Sequence, residues 1–202
     1  MKYMKVKGLM YVEPESFRVS SLCDTDYGNC TETQRSVGCT IVTMGGCIVD
    51  WSMAKQMTVS DSLCEAEYKE LAKCAKSVKF IQMLLGEFGL SELPGILFED
   101  NAGSIFLAQN QQVSKRTKHI DLKHHFIREF IEKRNGVRSG VVKKIESEKN
   151  TADIGTKNVE VHLFKQHEKE IDSGMMDLRE RIYGKNGVLC EMLSSGMLDG
   201  KM

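Results

Sequence analysis

Three short apolar runs near the start of the chain are separated by turn residues and followed by one long amphipathic helix. The runs cover residues 17–23, 38–44 and 47–51, and Gly45-Gly46 joins the second to the third. A two-residue glycine turn is typical of a β-hairpin, so the runs predict a three-stranded antiparallel start. Because a sheet must bury at least one face, this order indicates a sheet with helices packed on it.

The long helix is predicted over residues 65–88, where apolar residues recur at three- and four-residue steps before Gly89. These apolar residues are Leu71, Ala75, Val78, Ile81 and Leu85. The pattern then alternates between strands and helices up to a final helix. The elements before that helix are predicted as a strand at 96–98, helices at 103–110 and 120–131, and a strand within 137–147. A meander followed by such alternation predicts an α/β fold with a mixed sheet and helices on its faces.

The composition is typical of a folded protein in a reducing environment. Hydrophobic residues make up 41% and charged residues 28% of the 202 residues, which argues against a disordered chain. The seven cysteines show neither CxxC pairs nor a framework spacing, which favours an intracellular location, cytoplasmic or nuclear. No run approaches the roughly 20 apolar residues of a membrane span, so we expect no membrane partner.

Positive charge is concentrated in one segment although the net charge is zero. Residues 113–134 hold seven Lys or Arg against three Asp or Glu. Lys115, Arg116 and Lys118 are candidates for binding nucleic-acid phosphates, and a solvated helix face is the alternative. The histidines of this segment could contact phosphate or shuttle protons, but packing and capping roles on the helix are favoured for them. These histidines are His119, His124 and His125.

Four acidic residues occupy similar places in the predicted pattern. Asp24 follows the first strand, Glu67 lies on the long helix, Asp100 follows the strand at 96–98, and Asp153 opens the C-terminal segment. If they converge, four carboxylates repel one another unless cations intervene, and Mg²⁺ or Mn²⁺ are the hard ions that prefer oxygen ligands. Two such ions suit phosphodiester hydrolysis. For any single acid the alternative is an ordinary surface carboxylate.

Helix phase separates the two glutamates at the start of the long helix. At 100° per residue, Glu67 lies in phase with Leu71 and Val78, whereas Glu65 lies about 200° away from Glu67. We therefore expect Glu67 to point toward the sheet and Glu65 to point more toward solvent. Glu67 is the predicted ligand.

Five segments, in the same order, resemble the ribonuclease H region of copia-type retrotransposon polyproteins. The family's motifs are S-D-A-D, S-T-E-A-E-Y, C-D-N-x-S-A, R-T-K-H-I-D-x-x-x-H-F-I-R-E and A-D-x-x-T-K-P. The matching segments are CDTDYGN (23–29), CEAEYKELAKCAKSVKFIQMLL (64–85), EDNAGSI (99–105), SKRTKHIDLKHHFIRE (114–129) and TADIGTK (151–157). Five ordered blocks are far more specific than any one of them.

The resemblance implies a ribonuclease H-like mixed five-stranded sheet with helices on both faces, over residues 17–172. It implies that Asp24, Glu67, Asp100 and Asp153 are catalytic residues that bind two Mg²⁺ ions. It also implies cleavage of the RNA strand of RNA–DNA hybrids. Residues 1–16 are similar to the segment that follows the reverse transcriptase, a possible partner, so a C-terminal polyprotein fragment is expected. Residues 173–202 have no sustained pattern.

Departures from the family pattern leave a second hypothesis open. Ser62-Leu63-Cys64 replaces S-S-T and loses a threonine suited to capping the helix. Glu99 replaces the cysteine of C-D-N, and residues 156–159 are T-K-N-V instead of T-K-P-L. The chain could therefore be a catalytically silent, nucleic-acid-binding remnant. A DNA recombinase of similar fold is the weakest alternative, because the matching blocks belong to the hybrid-cleaving branch.

Overall fold

The computed structural model describes residues 9, 11–14, 16–90, 93–110, 121–134, 137–173 and 176. The strands are β1 (Val19–Asp26), β2 (Val37–Met44), β3 (Cys47–Lys55), β4 (Gly95–Glu99), β5 (Lys133–Arg134), β6 (Val137–Arg138) and β7 (Gly140–Lys144). The α-helices are α1 (Leu63–Glu87), α2 (Ala102–Gln109), α3 (Asp121–Ile131) and α4 (Val161–Asp172). Two 3₁₀ helices cover Ser147–Lys149 and Thr151–Gly155. Among the helices described, none combines the length and apolar character that crossing a membrane requires.

Five strands form a mixed sheet in the order β3-β2-β1-β4-β7. β2 pairs antiparallel with both β1 and β3, and the Gly45-Gly46 turn joins β2 to β3 as predicted. β4 pairs parallel with both β1 and β7. The predicted mixed five-stranded sheet is therefore confirmed.

Each face of the sheet buries its own apolar core. The core beneath α1, α2 and α3 includes Val42, Leu71, Val78, Leu97, Ala108 and Ile127. The core beneath α4 and the second 3₁₀ helix includes Leu22, Ile41, Phe98, Ala152 and, partly buried, Ile171. Helices thus lie on both faces, because the two faces of β1, β2 and β4 are both apolar and neither can be left in water.

α1 begins with a side-chain cap that the sequence analysis underrated. Ser62 is the N-cap, and its side chain accepts a hydrogen bond of 3.2 Å from the backbone N–H of Glu65. The Glu65 carboxylate in turn accepts from the N–H of Asp61 at 2.9 Å. The loss of the family's threonine therefore leaves the helix capped, because Ser62 performs the same role two positions earlier in the segment. At the other end Gly89 has φ +68°, the left-handed conformation that commonly ends a helix.

One local prediction was wrong, and one element was missed. Asp24 does not follow the first strand but lies within it, because β1 continues its pairing with β2 as far as Asp26, which is opposite Val37. The β5–β6 ribbon was not predicted, since two-residue strands are too short to show any alternation.

Described residues on both sides of the predicted domain, before residue 17 and after residue 172, pack against it. Leu9 packs against the second core, and the side chain of Pro14 lies beside Gly45. Met176 is buried in the same core, and its N–H donates to the carbonyl of Gly46 at 2.9 Å. The domain boundaries at residues 17 and 172 remain a prediction.

Candidate metal centre

Three of the four predicted carboxylates meet at one edge of the sheet. Asp24, Glu67 and Asp100 each offer an oxygen, and the three oxygens lie within 4.8 Å of one another. Asp24 lies near the C-terminal end of β1 and Asp100 directly follows β4. These strands are parallel neighbours, so their carboxyl ends meet at the same edge. α1 packs on β1 and supplies Glu67 from its second turn.

Asp153 is not part of this three-carboxylate group, but its side chain lies within hydrogen-bonding reach of Asp24, and Lys157 contacts both. The Lys157 ammonium donates to Oδ1 of Asp24 at 2.7 Å and lies 3.5 Å from Oδ1 of Asp153. The Thr156 hydroxyl donates to the second oxygen of Asp24. The sequence analysis did not assign a role to Lys157 or Thr156, although both lie in the TADIGTK block.

The segment that carries Asp153 is held against β1 and β2 by buried contacts. The Asn150 side chain donates to the carbonyl of Cys23 at 2.7 Å and accepts from the N–H of Ala152 at 3.3 Å. Gly155 lies against β2 so closely that a Cβ there would be 2.5 Å from Sγ of Cys39. Only glycine therefore fits at this contact.

An open polar cleft of about 480 Å³ adjoins the carboxylates. It lies between the loop after β1 and the end of the second 3₁₀ helix. Its lining residues are Asp26, Asn29, Ile154, Gly155, Thr156, Lys157 and Asn158. Because Lys157 belongs both to this lining and to the Asp24 contacts, a molecule in the cleft would reach the carboxylate group.

Sequence comparison relates the chain to transposon polyproteins. No protein-family model matches it. It is 29% identical over 167 residues to the retrovirus-related Pol polyprotein from transposon RE2 of Arabidopsis thaliana, an alignment of 81% of this chain and 11% of that protein. It is 30% identical over 141 residues to the Pol polyprotein from transposon TNT 1-94 of Nicotiana tabacum, covering 70% of this chain and 10% of that protein. The chain thus spans about a tenth of the length of these relatives.

Structural comparison supplies the fold. LC11-RNase H1, isolated from compost by a metagenomic approach, superposes with a TM-score of 0.52 at 16% identity, covering 78% of this chain and 97% of that one. The chain matches the ribonuclease H domain of a copia-type Pol polyprotein. The predicted resemblance is confirmed at the level of homologues and fold.

Burial and crowding of like charges dominate the electrostatics of this ribonuclease H-like domain. Glu67 is only 3% exposed, and burial, followed by the charges of Glu99, Asp24 and Asp100, raises its pKa to about 10. Burial and then Asp24 raise the pKa of Asp153 to about 7. For Lys157, burial lowers the pKa, but the hydrogen bond to Asp24 and its charge outweigh burial and raise the pKa.

Glu67 also has an unsatisfied oxygen. Its Oε2 is buried and has no hydrogen-bond partner in the part of the chain that the structure describes. A buried carboxylate oxygen without a donor is costly unless a cation or a proton compensates it. The donor set consists of carboxylate oxygens alone, which is the set that Mg²⁺ and Mn²⁺ prefer. Asp24, Glu67 and Asp100 therefore fit a hard divalent cation.

Glu99 is a further buried acid that the sequence analysis noted only as a departure from the family pattern. It is fully buried at the end of β4. Its Oε1 accepts from the N–H of Asn101 at 2.9 Å, and its Oε2 lies 3.5 Å from the Cys23 thiol. Burial raises its pKa to about 8, although the hydrogen bond from Asn101 lowers the pKa. All five residues of β4 are buried, so no alternation marked the position.

The helix-phase prediction for α1 is confirmed. Glu67 faces the sheet and meets Asp24, whereas Glu65 pairs with Lys69 at 2.7 Å, one turn further along the helix. The two glutamates therefore have different environments although two positions separate them.

The predicted phosphate-binding residues lie outside the part of the chain that the structure describes. They are Lys115, Arg116 and Lys118. His119 lies outside it as well, and the side chains of His124 and His125 on α3 are not among those described. Their roles stay predictions.

Proposed function

We propose that this domain is a metal-dependent endonuclease that cleaves the RNA strand of RNA–DNA hybrids. The observation that supports it best is the buried Asp24–Glu67–Asp100 group, with the unpartnered Oε2 of Glu67 facing like charges. The ribonuclease H1 fold of LC11-RNase H1 and the Pol polyprotein relatives support the choice of substrate class.

Asp24, Glu67 and Asp100 would hold Mg²⁺, or Mn²⁺ in its place. A bound divalent cation supplies a Lewis acid that activates water and stabilises the leaving oxygen of a phosphodiester. The chain's own groups prepare that site. Lys157 and Thr156 hold the Asp24 carboxylate in one orientation from the cleft side. Asp153, with a pKa of about 7, is suited to take up or release a proton at neutral pH.

The polar cleft is the proposed path of the RNA strand. The carboxamides of Asn29 and Asn158, both in its lining, can bond ribose 2′-hydroxyls, the groups that distinguish RNA from DNA. A reverse transcriptase domain is the proposed partner, because the Pol relatives extend far beyond the aligned segment. An intracellular location is proposed, and the free thiols of the six described cysteines support it.

The direct test is cleavage of a labelled RNA–DNA hybrid by the purified full chain with Mg²⁺, and separately with Mn²⁺. Asp100→Asn keeps the shape of the side chain and removes its charge from the carboxylate group. We expect its cleavage rate to fall by roughly a hundredfold or more, the loss typical of removing one transition-state-stabilising group. Asp50→Asn, on β3 and outside the carboxylate group, is the matched control and should cleave at the parental rate.

Two outcomes contradict the nuclease proposal. Cleavage that continues in Asp100→Asn or in excess EDTA would come from a contaminant or another site. A parent protein that shifts the hybrid on a gel but cleaves it with neither metal would be the silent nucleic-acid-binding remnant.

A further inference from the structure

The Lys157 ammonium is a cation built into the carboxylate site. It lies 2.7 Å from Oδ1 of Asp24, whose side chain is fully buried, and 3.5 Å from Oδ1 of Asp153. The backbone of Lys157 is held beside Asp153, because its N–H donates to the carbonyl of Asp153 at 2.9 Å. The backbone of Lys157 therefore lies beside that of Asp153, and its side chain reaches the carboxylates of Asp24 and Asp153.

The carboxylates differ in whether the Lys157 ammonium contacts them directly. Asp24 has both oxygens bonded, one to Lys157 and one to Thr156. Asp153 faces the same ammonium. Glu67, by contrast, has a buried oxygen with no hydrogen-bond partner among the described residues, and it lies beside Asp24 and Asp100. The direct contacts of the ammonium are therefore to the Asp24–Asp153 pair, whereas the unpartnered carboxylate oxygen belongs to Glu67.

A second divalent cation shared by Asp24 and Asp153 would compete with this ammonium. The ammonium already contacts Oδ1 of both aspartates, and like charges repel at such separations.

We propose that Lys157 takes the place of the second divalent cation, so that the domain binds one divalent cation, at Asp24, Glu67 and Asp100. The inference rests on the proposed function for the existence of that cation. It revises the expected pair of Mg²⁺ ions to one ion plus one ammonium group.

The test is calorimetric titration with Mn²⁺ in the absence of nucleic acid. The full-length parent is compared with Lys157→Met and Lys157→Arg. Lys149→Met is the matched control, because Lys149 forms a surface pair with Glu146 at 2.8 Å. We expect Lys157→Met to bind one more equivalent of Mn²⁺ than the parent. Lys157→Arg and Lys149→Met should match the parent. Equal stoichiometry in the parent and Lys157→Met overturns the proposal.

A second measurement uses the parent protein alone, so it does not depend on the folding of a variant. Amine acetylation followed by mass spectrometry should label Lys157 more slowly than Lys149, and saturating Mn²⁺ should leave the ratio unchanged. Faster labelling of Lys157 after Mn²⁺ is added would show that the metal displaces the ammonium, which overturns the proposal. Neither experiment contains hybrid. Failure of the nuclease proposal is therefore detected separately, by the cleavage assay.

Discussion

Glu67→Gln will be more stable than the parent protein in EDTA at pH 8, by up to about 5 kcal/mol in the free energy of unfolding, since each pH unit between 4.5 and 8 contributes about 1.4 kcal/mol. Glu67 has its pKa raised from an ordinary 4.5 to about 10 by burial and by the charges of Glu99, Asp24 and Asp100. The folded parent therefore keeps a proton at pH 8 that the unfolded chain releases. Glutamine mimics the protonated glutamate but cannot ionise. The unfolded state of Glu67→Gln therefore gains no free energy by releasing a proton. Urea unfolding followed by circular dichroism measures the difference.

The pH dependence has a definite sign. A carboxyl whose pKa is raised on folding favours the folded state fully below its unfolded value, and this contribution is lost as the pH rises through the folded value. The advantage of Glu67→Gln should therefore be small near pH 4.5, grow with rising pH and level off near 10. With saturating Mg²⁺ this advantage should shrink, because only the parent binds the ion well.

Glu65→Gln is the matched control on the same helix. Its carboxylate pairs with Lys69 and the N–H of Asp61, not with the carboxylate group. It should not gain stability at pH 8. Equal stability of Glu67→Gln and the parent in EDTA would mean that Glu67 is not held in the buried, crowded state described above.

Gly155→Ala will lower the free energy of unfolding by about 2 kcal/mol, a typical cost of overpacking. A Cβ at this position would lie 2.5 Å from Sγ and 2.9 Å from Cβ of Cys39. The second 3₁₀ helix must therefore move off β2, and it takes Asp153 and Lys157 with it. Misplacing groups at a catalytic site by about 1 Å can cost roughly a hundredfold in rate, so hybrid cleavage should fall by that order.

A double-mutant cycle with Cys39→Ala identifies the cause of this loss. Removing Sγ leaves only the longer contact, with Cβ at 2.9 Å, so Gly155→Ala should be less destabilising in that background, with a coupling of about 1 kcal/mol. Additive effects of the two substitutions would show that the contact between Gly155 and Cys39 is not responsible. Urea unfolding of the four proteins makes the measurement.

The parts of the fold that depend on local patterns could be predicted. The Gly45-Gly46 turn and the phase of α1 each follow from a few neighbouring residues, and so does the different orientation of Glu65 and Glu67. The position of Asp24 could not be predicted in this way. Its place within β1 depends on pairing with Cys39 of another strand, which no local pattern in residues 17–26 reports.

The sequence predicted which types of residue form the candidate site. It did not predict how those residues are arranged within the site. Asp24, Glu67 and Asp100 come together as the strand ends and the helix phase suggested. Asp153 lies outside that group but directly beside Asp24, and the ammonium of Lys157 contacts both. Glu99 is as buried as its neighbours, but only its contacts with Cys23 and Asn101 identify it as part of this region.

By itself, the sequence determined the order of the elements, the class of fold, the family resemblance and the acidic character of the site. These properties depend on periodicity and on residue type, which a chain carries before it folds. Only the tertiary structure decided which acids lose contact with water, which share their charge, and which already have the ammonium of Lys157 beside them. Burial and Coulomb interactions depend on distances between residues far apart in the chain, and packing alone sets those distances.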